Sequence, residues 1–125
     1  GKLTGPAEIE ALLLATRKVV DAAAVAVPDP VKGAALICVV IPLDAEADRR
    51  KLGAELSDAI VAGMGSSFRP RKIVFAQDLP RTRNMKTMRR VVRAALLDED
   101  PGDLSTLMNP ETVDAIREAA RGADR

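Results

Sequence analysis

The hydrophobic positions along this chain change their spacing several times, and each change predicts an element. After Pro6, the residues Ile9, Leu12 and Leu13 recur at i, i+3 and i+4, which predicts a helix from about Pro6 to Ala15. The proline suits the first turn, and Glu8 lies near the positive end of the helix dipole. Val19 to Val27 (VVDAAAVAV) is rich in β-branched residues and stops at Pro28, so it reads as a half-buried strand. PDPVKG is a turn by composition. Ala34 to Ile41 (AALICVVI) is an unbroken apolar run ended by Pro42, the pattern of a strand covered on both faces.

Helical spacing then returns. Asp44 or Asp48 can cap a helix running to about Gly63, with Leu52, Leu56, Ile60 and Gly63 along one face and Arg49, Lys51 and Glu55 outside it. GMGSSFRP is a loop, Lys72 to Ala76 (KIVFA) a third strand, and QDLPRTR leads out of it. Asn84 is the expected N-cap of a helix continuing to about Leu97. Its apolar stripe is Met88, Val91, Val92 and Ala95, with Lys86, Arg90 and Arg93 stacked on another face. An acidic loop, DEDPGDLSTLMNP, precedes a last helix over Pro110 to Ala120. The order α-β-β-α-β-α-α predicts a small α+β domain, a three-stranded sheet flanked by helices.

Composition narrows the chemistry. A length of 125 residues supports one core, and two Phe with no Trp or Tyr mean that Ala, Val, Leu and Ile build it. The absence of histidine removes His-based triads and the commonest general base. With one cysteine there is no disulfide within the chain and no expected metal site. Cys38, inside the apolar run, is expected to be a buried small hydrophobe in a reducing, cytoplasmic setting. The apolar run is too short to span a bilayer, and no charged-then-apolar leader opens the chain, so no membrane partner is expected. GKLTG reads as a loop with nothing before the first helix, as in a piece of something larger.

The net charge of +1 hides a strong asymmetry. Residues 69–93 carry nine basic side chains and only Asp78 as an acid, whereas residues 94–125 carry three basic and eight acidic ones. The basic segment centres on LPRTRNMKTMRR, Leu79 to Arg90. Such a cluster can face water, bind nucleic acid or bind a nucleotide. Repulsion between Lys86, Arg90 and Arg93 on one helix face, and Lys86 in a first turn capped by Asn84, would favour an anion there. Nucleic-acid binding lacks support: no aromatic lies near the cluster, and there is no GxxG loop. The chain also lacks GxxxxGK[ST] and GxGxxG, so it would handle ATP only by lending a lysine to a pocket built elsewhere.

Four ordered stretches carry a resemblance. LPRTRNMKTMRRVVRAAL resembles the LPKTRSGKIMRRVLR signature near the C-terminus of AMP-forming acyl-CoA synthetases. GPAEIEALL is similar to their GTAEIESAL, and DAAAVAVPDPVKGAALICVVI to EAAVVGVPDPVKGEALVAFVVL. GDLSTLMNPETVDAI is similar to a tail of the acetyl-CoA synthetase branch. The resemblance implies the small mobile C-terminal domain, residues 1–125, of a larger acid–CoA ligase. A large N-terminal domain of the same polypeptide, absent from this chain, would bind a small carboxylic acid and ATP with Mg2+, and CoA would enter in a second pose. The small domain alone would bind no cofactor and be inactive.

Residue by residue, the resemblance assigns the adenylating lysine to Lys86 and a CoA-facing role to Gly1 to Gly5. Gly1, Lys2 and Arg83 are the nucleotide- or CoA-side candidates, and Lys86 is a candidate target for a lysine acetyltransferase. Arg81, Arg83, Arg89, Arg90 and Arg93 would set the local potential and dock on the large domain. The chain departs from the family at several points. Asn84-Met85 replaces Ser-Gly, Leu3 replaces an arginine with Lys2 beside it, Val61 stands where a CoA-phosphate arginine can occur, and Thr16-Arg17 replaces His-Pro. The alternative is a free-standing basic α+β module whose binding to RNA or DNA would be salt-sensitive.

Overall fold

The computed structural model describes residues 5–123. Its centre is a three-stranded sheet in the order β1-β2-β3. Strands β1 (Val19–Asp29) and β2 (Gly33–Pro42) form an antiparallel hairpin, with Ala24 opposite Cys38 and Val27 opposite Ala35. Strand β3 (Lys72–Phe75) runs parallel to β2, with Val39 opposite Val74. The parallel return needs a crossover, supplied by helix α2 (Arg49–Met64) and a short 3-10 turn at Ser66–Phe68.

The alternation of side chains along the strands divides the core in two. Ala23, Val25, Val27, Ile37, Val39 and Val74 face one way and pack with α3 (Arg89–Leu96) and α4 (Thr112–Ala123). Ala22, Ala24, Cys38 and Val40 face the other way, against α1 (Pro6–Ala15) and α2. Ile37, Cys38, Val39 and Val40 are all buried because β2 is the central strand with helices on both sides. That is why its sequence shows a continuous apolar run rather than alternation. Burial pushes the Cys38 thiol up to about 12, so it stays protonated and packs as a hydrophobe.

Helix α2 buries Leu52, Leu56 and Ile60, each burial worth about 1.5–3 kcal/mol against exposure. Asp48 is its cap, accepting the N–H groups of Arg50 at 3.1 Å and Lys51 at 3.3 Å. Asp44 instead accepts the Glu46 N–H in the preceding turn. Among the described residues, no helix is long and apolar enough to cross a membrane.

The predicted element order holds, but α3 does not begin after Asn84. It begins at Arg89, with Met88 at its N-cap and no side-chain cap. The residues before it fold back as a hairpin whose backbone bonds replace those of a helical turn. Helix α4 likewise starts at Thr112, two residues beyond Pro110.

Candidate functional site

The segment leaving β3 makes a tight hairpin from Arg81 to Thr87, which bridge one another in antiparallel fashion. The Met85 N–H donates to the Thr82 carbonyl at 2.8 Å, and the Thr82 N–H to the Lys86 carbonyl at 3.0 Å. Between these bonds Met85 takes a left-handed backbone, φ 66°. This is the pattern of a three-residue hairpin loop closed by a left-handed bulge residue, a position that favours glycine. Met85 thus stands in the conformation for which the resembled signature carries glycine. Asn84 serves the turn rather than a helix, and Asn is favoured in both settings. Lys86 is therefore not in the first turn of α3, and the expected Lys86–Arg90–Arg93 face does not exist.

The cations of the basic segment separate into two groups. Arg81 pairs with Asp78 at 2.7 Å and with Asp21 at 3.5 Å. Arg89 grips Glu10 with two bonds, 2.8 and 2.6 Å, while Glu10 also accepts the Ala24 N–H. Arg90 donates to the Pro101 carbonyl and Arg93 to the Ala26 carbonyl. These four tie elements together. Lys86 and Arg83 are exposed, and among the described residues their side chains have no hydrogen-bond or ion-pair partner.

Lys86 and Arg83 line an open polar cleft of about 520 Å³ with Thr82, Asn84, Ser105 and Thr106. Ser105 and Thr106 come from the acidic loop before α4, a contribution the sequence reading missed. So did the fastening beneath the hairpin. Asn109 is buried and joins Asp78, Leu79 and Arg81, three residues about thirty positions earlier. Desolvation raises the Asp78 carboxyl, but bonds from Asn109 and the Leu79 N–H together with the Arg81 charge outweigh it and hold it below its ordinary value. Among the described residues no three His, Cys, Asp or Glu side chains gather as a metal site. Gly1 and Lys2 lie outside the described residues.

A larger apolar groove, about 550 Å³, lies between α1, the sheet and α3, but its arginines Arg89, Arg90 and Arg93 are the ones already engaged. An anion meeting this molecule at Lys86 finds two cations with no counter-charge among the described residues and three hydroxyl-bearing side chains, and no aromatic ring on which a base could stack.

Residues 8–86 match the family described as AMP-binding enzyme C-terminal domain. The chain belongs to this family. Acetyl-coenzyme A synthetase of Methanothrix soehngenii is 41% identical over 110 residues, covering 88% of this chain and 16% of that protein. 3-Hydroxypropionyl-coenzyme A synthetase of Sulfurisphaera tokodaii is 34% identical, covering 92% and 17%. The crystal structure of Brucella canis acyl-CoA synthetase superposes with a TM-score of 0.71 at 31% identity, over 78% of this chain and 18% of that one. The α+β fold and the resemblance drawn from LPRTRNMKTMRR are those of an AMP-binding enzyme C-terminal domain. The chain spans less than a fifth of the length of these relatives.

Proposed function

We propose that this chain is the small C-terminal domain of an ATP-dependent, AMP-forming acid–CoA ligase, and that Lys86 is its adenylating lysine. One observation carries the reading. Among the cations from Arg81 to Arg93, Lys86 and Arg83 alone lack partners among the described residues, and both sit at the tip of a fastened hairpin.

In the first half-reaction a carboxylate oxygen attacks the α-phosphorus of ATP, and pyrophosphate leaves. Two anions must approach, and negative charge gathers around phosphorus. An ammonium on a long, flexible stem touches carboxylate and phosphate oxygens together, and a point charge without an internal partner is available for that contact. In the second half-reaction the CoA sulfur attacks the adenylate carbonyl and AMP leaves. The sites for acid and ATP lie in a large domain outside this chain, Mg2+ enters with the ATP, and the 125-residue chain alone is inactive. Arg83 adds positive potential at the nucleotide, while Gly1 and Lys2, before α1, serve the CoA side. The relatives named for acetyl and 3-hydroxypropionyl groups favour a short acid.

The test is Lys86→Ala in the full-length polypeptide. Acid-dependent ATP–pyrophosphate exchange should fall on the order of 100- to 1000-fold. Thioester formation from a preformed acyl-adenylate should survive. Equal loss of both half-reactions removes Lys86 from the role.

A further inference from the structure

The hairpin that carries Lys86 is too short to hold itself. Its two arms share one bridge, Arg81 to Thr87, and an isolated two-stranded ribbon of that size is not stable in water. What fixes it is the segment Leu104–Asn109, beyond the part of the chain that matches the family. Leu107, buried, bridges Thr82 in antiparallel fashion, and the Met108 N–H donates to the Arg81 carbonyl at 2.9 Å. The tail is thus a third strand beside the hairpin.

Asn109 locks that strand. Its Oδ1 accepts the Arg81 N–H at 2.9 Å, and its Nδ2 donates to Asp78 Oδ2 at 3.0 Å and the Leu79 carbonyl at 2.8 Å. Its own carbonyl accepts from Thr112 Oγ1 at 2.7 Å, at the start of α4. Both amide hydrogens and the amide oxygen are therefore used, and the residue is 7% exposed. A buried amide satisfied on every side has one orientation, and that orientation sets the path of Arg81 and Thr82. Thr82 in turn holds Lys86 by its N–H to the Lys86 carbonyl at 3.0 Å and by its Oγ1 accepting the Lys86 N–H at 3.3 Å.

We infer that Asn109 is a positioning residue for adenylation, fixing through Arg81 and Thr82 the point from which Lys86 reaches the reacting phosphate. The inference rests on the reading of Lys86 above. Positional error of about 1 Å at a catalytic group costs on the order of 100-fold, so a loosened hairpin shows in the chemical step first. The second half-reaction, which does not use Lys86, provides an internal control on folding.

The experiment compares Asn109→Ala with Lys86→Ala in the full-length polypeptide, measuring both half-reactions with acid, MgATP and CoA. Asn109→Ala should lower kcat for acid-dependent ATP–pyrophosphate exchange about 10- to 100-fold. The KM for ATP and the rate of thioester formation from preformed adenylate should stay within about twofold of the parent, as for any step that does not use Lys86. If Lys86→Ala cripples exchange while Asn109→Ala matches the parent, the positioning role is overturned and the reading of Lys86 stands. If Lys86→Ala itself leaves exchange intact, that reading fails first. If Asn109→Ala loses both half-reactions through misfolding, Met108→Pro decides. It removes the N–H donated to Arg81 from an exposed residue and fixes φ there, while Asn109 keeps its side chain. Loss confined to exchange upholds the clasp, and parental rates or loss of both half-reactions overturn it.

Discussion

Arg89 and Lys86 are three residues apart, similar in charge, and do opposite work. Arg89 opens α3 and spends its guanidinium on Glu10, whose carboxylate also accepts the Ala24 N–H at the free edge of β1. Lys86 sits on a loop and has no internal partner among the described residues. The planar fork of an arginine suits bidentate bonding to a fixed carboxylate, and the mobile ammonium of a lysine suits an anion that comes and goes. A run of basic residues is therefore not one feature. Its members divide by whether the fold already supplies the counter-charge.

The largest effect that separates the two belongs to Lys86→Ala, which should cost activity and leave stability within about 0.5 kcal/mol, since no internal contact is lost. Arg89→Ala should do the reverse. It leaves the Glu10 carboxylate, 13% exposed, with one remaining N–H donor. Arg89 itself is 41% exposed, so the loss stays below that of a fully buried pair and should be about 2 kcal/mol. Urea unfolding of the domain measures it, and Glu10→Ala in the Arg89→Ala background should add little. Additive losses would mean the pair is not coupled, and the division between structural and available cations would collapse at Arg89.

Met85→Gly acts on the loop instead. A non-glycine residue at φ 66° carries about 1–2 kcal/mol of strain, and glycine returns about 0.5–1 kcal/mol of that as chain entropy in the unfolded state. A net gain of about 0.5–1 kcal/mol should appear as a higher Tm. Met85→Val, β-branched at the same φ, should lower it. A loss on Met85→Gly would show that the Met85 side chain contributes packing which its exposure conceals.

The fold was legible because spacing is a local signal. The apolar runs of β1 and β2, the i, i+3, i+4 pattern of α1 and the Asp48 cap each lie within a few residues of what they determine. The start of α3 was not legible, since Asn84 suits an N-cap and a turn equally and only the bonds between Thr82, Met85 and Lys86 decide. Lys86 is proposed from its signature. Its supports were not legible, because Glu10 meets Arg89 across 79 positions and Asn109 meets Arg81 across 28. The Asn-Pro dipeptide at 109–110 signals a turn and nothing of the buried amide. Long-range polar contacts leave no periodic trace.

The smallest effect is in acid, and it sharpens the same division. The Asp78 carboxyl lies below its ordinary value because hydrogen bonds from Asn109 and the Leu79 N–H, with the charge of Arg81, overcome the opposing desolvation. A carboxyl depressed on folding stabilises the fold fully above the unfolded value of 3.8, and that contribution is lost as pH falls through the folded value. Asp29 and Asp103 are depressed as well, chiefly by backbone N–H groups of Lys32 and Ser105, and act in the same window. With no histidine, no side chain of ordinary pKa near neutrality adds a step between pH 5 and 8. Tm should therefore be level there and decline below about pH 4. Asp78→Asn should make that decline shallower, whereas Lys86→Ala, which removes a cation with no carboxylate beside it among the described residues, should leave it unchanged. A shallower acid decline in Lys86→Ala would reveal an acidic partner for the lysine in solution, and the tip would then belong with the anchored cations.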